Sequence, residues 1–246
     1  MRCANPSPIP ILVYHQIDVA PDKGQPFRSL YVTPTAFARQ MRLLHWLGYK
    51  GLSMSDLQPY LLGQRSGKVV GITFDDGYVN NLTHAAPVLK RHKFSSTCYA
   101  VSSLAGETNR WDRGIGIAQV PLMNAEQMRL WVAAGQEIGS HTHTHADLTA
   151  ANDIDCHAEI EKGKAELEQI LDEKLTHFCY PFGRYEPRHV EMAHVAGFET
   201  ATTTQRGRCW VGSEMLQLSR VPVLRSTSLP LFWLKVATAY EDRRRK

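Results

Sequence analysis

Several things are scarce in this chain, and each scarcity removes a class of protein. Its 246 residues include only five cysteines, Cys3, Cys98, Cys156, Cys179 and Cys209. They are odd in number and without a CxxC spacing, so neither a disulfide framework nor a thiolate zinc site is indicated and a reducing compartment is expected. No segment approaches the roughly 20 apolar residues of a membrane span, and Met1 to Pro10 has no apolar run long enough for a signal peptide; the expected location is cytoplasmic. No internal repeat interrupts the chain. The formal charge of +4 is partly an effect of the terminal Arg243-Arg244-Arg245-Lys246, so no nucleic-acid partner is expected. That tail is expected to be solvated and disordered. Because it follows the apolar Leu229-Pro230-Leu231-Phe232-Trp233-Leu234, contact of this C-terminal segment with an anionic membrane surface is the lesser reading.

What is present is an ordinary soluble composition, 43% apolar and 21% charged, in a chain long enough for one large core. Short apolar runs alternate with helical patterns. Ile11-Leu12-Val13-Tyr14, Lys68 to Phe74, Ser96 to Val101, Phe178 to Tyr180, Phe198 to Thr203 and Gln217 to Val223 read as strands, and Glu137 to Ser140 leads into a cluster of histidines. Thr33-Pro34 opens a helix as N-cap and N1, with Phe37, Met41, Leu44 and Leu47 as its apolar stripe. A shorter helix follows Ser53, and residues 81–92 read as a helix made irregular by Pro87. Asn124-Ala125-Glu126-Gln127 has the form of a capping box. The longest helix covers 153–171, with Ile154, Ala158, Leu167 and Ile170 as inward candidates; further helices start at Pro187 and near Ser228. About seven strands separated by helices, with no linker, predict one α/β domain over 1–246 with a mostly parallel sheet or barrel.

The chemistry-bearing residues fall just after these strands. His15 ends the first, Asp75-Asp76-Gly77 follows the second, and Gly139-Ser140-His141-Thr142-His143-Thr144-His145 places three histidines in five residues. A metal held by imidazole and carboxylate with a position open to water needs about three such ligands. Residues four apart in a strand are about 13 Å from each other, so His141 pairs with His145 if the segment curls and with His143 if it stays extended; Ala146-Asp147-Leu148 favours the curl. Adjacent residues leaving a strand point to opposite sides, so one aspartate can bind the cation while the other stands beside a water. Trp111 and Asp112, in the long loop Asn109-Arg110-Trp111-Asp112-Arg113, are candidates to stack on and hydrogen-bond to a sugar. Tyr180 and Arg184, flanking Pro181-Phe182-Gly183, join them as candidate substrate contacts.

The order TFDDG, then SHTHTH, then YPFG resembles the polysaccharide deacetylases with a NodB-homology domain, carbohydrate esterase family 4, over nearly the whole chain. The resemblance implies a distorted (β/α) barrel and a metal-dependent hydrolase that removes acetyl groups from N-acetylated sugars. It implies that Asp75 is the general base, that Asp76, His141 and His145 hold the metal, that His143 is at a variable position, and that the backbone N–H of Phe182 helps to hold the oxyanion. Zn²⁺ is the first expectation for such N/O ligands, with Co²⁺, Ni²⁺ or Mn²⁺ as related choices. Two departures stand out. The family's usual Arg two residues before the motif proline is Cys179, and no histidine follows His194 to supply the late general acid.

A branch resembling the bacterial poly-N-acetylglucosamine deacetylases has circularly permuted motifs and takes its acid histidine from an N-terminal Tyr-His strand end. Val13-Tyr14-His15 fits, and His15 is the implied general acid. Arg184 and Arg220 are candidates to replace the missing Arg, with a surface salt bridge the expectation for each. The expected substrate is an N-acetylhexosamine-containing saccharide or, given the expected location, a glycan-assembly intermediate. The rivals are hydrolysis of a non-sugar C–N bond at the same site and a carbohydrate-binding or scaffolding module without catalysis.

Overall fold

Apolar runs that must be covered on both faces become the staves of a parallel barrel. A computed structural model describes residues 8–245; Cys3, most of the stretch read against a signal peptide, and Lys246 lie outside the described residues. The strands are β1 (Ile11–Tyr14), β2 (Lys50–Leu52), β3 (Val69–Phe74), β4 (Thr97–Ala100), β5 (Glu137–Ser140), β6 (His177–Cys179), β7 (Thr200–Arg206) and β8 (Leu218–Pro222). Seven of them close a ring through parallel pairings β1–β3–β4–β5–β6–β7–β8–β1. The expected distorted (β/α) barrel is therefore what the chain forms. β2, which the sequence reading left out, is an eighth, three-residue strand on the first half of β3. Its Gly51 carbonyl accepts from Ser95 N–H at 3.1 Å just ahead of β4. The barrel is irregular between β5 and β6, which share the single register pair Ser140–Phe178, and between β7 and β8, where the register shifts between Thr202 and Arg206.

The connecting helices are α1 (Pro34–Trp46), α2 (Met54–Leu61), α3 (Ala86–His92), α4 (Ala125–Ala133), α5 (Asp153–Leu171), α6 (Pro187–Val195) and α7 (Leu229–Ala237). Thr33 caps α1 through Ala36 N–H, with Pro34 in the first turn. A π-helical stretch, Asn81–Ala85, absorbs the irregularity expected near Pro87 before α3 begins. The Asn124/Gln127 capping box forms in both directions, Asn124 Oδ1 accepting from Gln127 N–H at 2.8 Å and Gln127 Oε1 from Asn124 N–H at 3.0 Å. Asn124→Ala is expected to cost about 1 kcal/mol of stability in urea unfolding.

Two local expectations are corrected. Ile154 is 82% exposed, whereas α5 buries Leu167 as expected together with Cys156, Ile160 and Gly163, so its buried stripe starts two residues later. The C-terminal tail is ordered rather than loose as far as it is described. Asp242–Arg244 form a 3₁₀ turn, and Arg245 donates to Ser219 Oγ at 3.2 Å and Gln205 Oε1 at 3.3 Å. The preceding apolar segment turns Phe232 and Val236 into the core, anchored by Lys235 Nζ on the buried Glu241 at 2.5 Å. No described helix is long and apolar enough to cross a membrane.

Candidate metal centre at the carboxyl ends of the strands

Parallel strands deliver their following residues to one end of a barrel. His15, Asp75, Asp76, His141 and Phe182 all lie just beyond β1, β3, β5 and β6, and Arg220 lies on β8. These residues line one cavity of about 420 Å³, together with His145, Trp111, Asp112, Tyr180 and Arg184. The sequence-chosen residues are thus brought to a single place.

The backbone leaves the strands by left-handed residues. Asp76 has φ 77°, Thr142 φ 65° and His145 φ 65°, a conformation that costs non-glycine residues energy and persists where the surroundings fix it. Through Thr142 and His145 the segment curls back on itself, and Thr142 Oγ1 accepts from His145 N–H at 3.1 Å. The curl is not a helical turn; it is made by these two positive-φ residues. It turns His143 away, onto Glu166 Oε2 at 2.9 Å and Ser102 Oγ at 3.1 Å. Gly163 of α5 makes room for it, since a Cβ there would meet Thr142 C at 2.6 Å.

His141 and His145 face Asp76. Their Nε2 atoms stand 3.5 and 3.4 Å from Asp76 Oδ1. These distances exceed ordinary N–H···O bonds of about 2.7–3.2 Å. They match the separation of roughly 3.4 Å between neighbouring ligand atoms placed tetrahedrally at about 2.1 Å from one ion. His141 Nδ1 lies 2.7 Å from the Cys179 carbonyl; an N–H donated there leaves Nε2 as the free lone pair, the outer-shell orientation common to metal-binding histidines. All three side chains are buried. Burial alone would raise the Asp76 carboxyl, but the two imidazoles outweigh it and hold it well below the usual carboxylate range. Asp76, His141 and His145 therefore fit a divalent cation.

Asp75, His141 and Cys179 also lie within 4.8 Å of one another, but a guanidinium already occupies that side. Arg220, 1% exposed, grips Asp75 with both arms, Nη1–Oδ1 at 2.6 Å and Nη2–Oδ2 at 2.7 Å. It also donates to the Thr203 carbonyl at 2.8 Å, Thr73 Oγ1 at 3.1 Å and Cys179 Sγ at 3.3 Å. The surface salt bridge expected for Arg220 is thus corrected: it is a buried, fork-to-fork pair. The guanidinium comes from β8 and touches the very residue, Cys179, that stands in the motif arginine's place. The available signal was a lone charge inside an apolar strand, Leu218-Ser219-Arg220-Val221. Burial alone would raise the Asp75 carboxyl; Arg220 outweighs it and keeps it below the usual range.

His15 Nε2 lies 3.9 Å from Asp75 Oδ2 with its side chain partly open to the cavity. Trp111 stacks on the His145 ring at 4.3 Å, and Phe182 meets the same ring edge-on at 4.6 Å, so the imidazole is fixed from both sides. Phe182 reaches it from a left-handed backbone, φ 58°. Asp112 is half-buried and receives Asn109 Nδ2 at 3.0 Å; burial pushes its carboxyl up. Tyr180 lines the cavity, but its hydroxyl donates to the Leu216 carbonyl at 3.1 Å and its ring stacks on Tyr185. The hydrogen bond to sugar that its hydroxyl could have offered is therefore already spent. Arg184 sits exposed at the mouth, paired with Asp147 at 2.5 Å. Sequence reasoning passed over the apolar wall of the cavity, including Phe27, Leu30, Ile117 and Leu224, because none of these belongs to a motif.

The model of the polysaccharide deacetylase family matches residues 63–201. YxkH of Bacillus subtilis, a protein named for the polysaccharide deacetylases, is 28% identical over 225 residues, 91% of this chain and 74% of its own length. Among solved structures, the Streptococcus pyogenes deacetylase PplD in complex with acetate superposes with a TM-score of 0.82 at 26% identity, covering 94% of this chain and 99% of that one. BC0361, a polysaccharide deacetylase from Bacillus cereus, gives a TM-score of 0.79 at 27% identity, covering 94% and 69%. IcaB from Ammonifex degensii, 24% identical with a TM-score of 0.78 over 94% and 98%, shares the fold. By the family model and by the arrangement of its barrel, the chain belongs to the polysaccharide deacetylases.

Proposed function

We propose that the chain is a metal-dependent N-deacetylase, a single domain that hydrolyses the acetamide of an N-acetylhexosamine-containing saccharide. The observation that carries this reading is the placement of three buried ligand atoms, Asp76 Oδ1, His141 Nε2 and His145 Nε2, at ligand-to-ligand distances beside an ionised, unliganded Asp75. A divalent cation held there, Zn²⁺ first among N/O-binding ions, would act as a Lewis acid toward the acetamide carbonyl and acidify water at the site.

The chain's own groups divide the remaining work. Asp75, kept charged and fixed in orientation by Arg220, accepts the proton of the attacking water. The Phe182 N–H donates to the developing oxyanion. His15, whose Nε2 lies 3.9 Å from Asp75 Oδ2, gives a proton to the departing sugar amine. Trp111 and Asp112 offer a stacking face and an acceptor to the sugar ring, and Arg184 offers a cation at the mouth. The acetate held by the related PplD structure is the acid such a reaction releases.

The measurement is elemental analysis of the purified protein followed by acetate release over a panel of N-acetylhexosamine compounds. Stoichiometric divalent metal and acetate release that a chelator abolishes are expected; a metal-free protein without turnover would instead favour the non-catalytic scaffold. We propose free, nucleotide-linked or lipid-linked saccharides as the substrates, and acetate release from finished polymer alone would overturn that choice. His15→Ala is expected to lower turnover about 10²- to 10⁴-fold with bound metal unchanged, and undiminished turnover would remove His15 from the reaction.

A further inference from the structure

Charge is segregated along this chain in a way the reaction does not use. From Lys23 to Gly106 there are ten Lys and Arg against three acids, Asp56, Asp75 and Asp76, the last two buried in the site; from Glu107 to Glu199 there are sixteen acids against eight Lys and Arg. Soluble surfaces ordinarily intersperse the two signs.

The fold gathers six of these ten cations on one face. α1 and α3 pack side by side, with the His45 and His92 rings 5.3 Å apart. Just beyond the two helices, Phe94 packs over Gly51 of β2. Arg39 and Arg42 on α1, Lys50 opening β2, and Lys90, Arg91 and Lys93 at the end of α3 are all exposed. None of the six is in an ion pair among the described residues, whereas eight other Lys and Arg are. In the midst of them Trp46 is 72% exposed, with the Arg42 guanidinium 5.0 Å over its ring. Burial first, and then the neighbouring His45, Arg91 and Arg42, hold the His92 imidazole below its usual range.

We infer that this α1–α3 face docks the protein on an anionic lipid bilayer, the cations meeting the headgroups and Trp46 entering the interface. Each Lys or Arg near an anionic leaflet contributes attraction, and an indole amid cations is suited to the headgroup boundary, apolar in body and polar at one edge. A nucleic acid would be met by the same charges, but the face is the convex surface of two helices and offers one aromatic ring rather than a groove of stacking platforms. Lys50 and Lys93 stand where strands begin, while the catalytic residues stand where strands end. A bilayer-docked chain therefore holds its cleft at the far end of the barrel, open to substrate in the water phase. This surface is distinct from the C-terminal segment, which buries Phe232 and Val236 and leaves Leu229, Trp233 and Leu234 exposed.

The test is co-sedimentation of the full chain with vesicles of phosphatidylcholine alone or mixed with phosphatidylglycerol. Binding to the mixed vesicles only, falling as salt is raised, is expected. The triple variant Arg42→Gln, Lys90→Gln, Arg91→Gln should bind about a hundredfold more weakly, at about 1 kcal/mol per cation, and Trp46→Ser should also weaken binding. Thermal midpoints equal to that of the parent chain show that the variants fold. Equal recovery with both vesicle types, or unchanged binding by the triple variant, overturns the inference. So does duplex DNA that displaces the protein from vesicles with Trp46 dispensable, which would assign the face to nucleic acid.

Discussion

Asp76→Ala is expected to yield a folded chain without stoichiometric metal and with acetate release lowered by roughly a thousandfold, the several kcal/mol a Lewis acid contributes to charge stabilisation in such a reaction. Asp76 Oδ1 is the one atom that both imidazoles face, at 3.4 and 3.5 Å. Without it two neutral histidines remain, a poorer site for a hard divalent ion. The contrast that gives the result meaning is Asp75→Asn, which removes the proton acceptor while leaving Asp76, His141 and His145 in place. That variant should keep its metal and lose turnover. Elemental analysis and acetate release on both variants separate the roles, and an Asp76→Ala chain that keeps metal and activity would dismantle the proposed centre. His143→Ala is the control within the same segment: its ring faces Glu166 and Ser102, so metal content should not change.

The second large effect is on stability. Arg220→Ala should cost about 3–5 kcal/mol, because it leaves the Asp75 carboxylate buried without a counter-charge. It should also lower turnover by freeing the base from its fixed orientation. The double variant Asp75→Asn with Arg220→Met removes both charges and should recover much of the lost stability, though not the activity. The pH dependence has a definite sign. Arg220 outweighs the effect of burial and places the folded Asp75 carboxyl below its unfolded value of about 3.9. The pair's stabilisation is therefore fully present above about pH 5 and is lost as pH falls through the depressed folded value. Urea unfolding of the parent chain between pH 3 and 7 should show a decline at the acid end that is shallower in the double variant. Equal slopes would show that the Asp75–Arg220 pair contributes no such linkage.

How legible the molecule was in its sequence varied by element. Helix starts were legible because Thr33-Pro34, the Asn124/Gln127 box and Ser228 carry their capping chemistry within three or four residues. β2 was not, since three residues with a central glycine give no period to read. The site followed the same division. His15, Asp75, Asp76, His141 and His145 announce themselves by following apolar strands, and parallel strands all end on one side.

Sequence by itself determined the parallel α/β barrel, the kind of donor atoms at its mouth and the family to which they belong, because strand periodicity, capping and motif spacing are local. Only the tertiary structure decided which groups meet. It drew Arg220 from β8, 145 residues away, onto Asp75. It curled the histidine segment through two left-handed residues instead of a helical turn, and it spent the Tyr180 hydroxyl on a carbonyl. It also set the cations of α1 and α3 on one face. Each of these depends on burial and on contacts between strands far apart in the chain, and neither is written into the spacing of neighbouring residues.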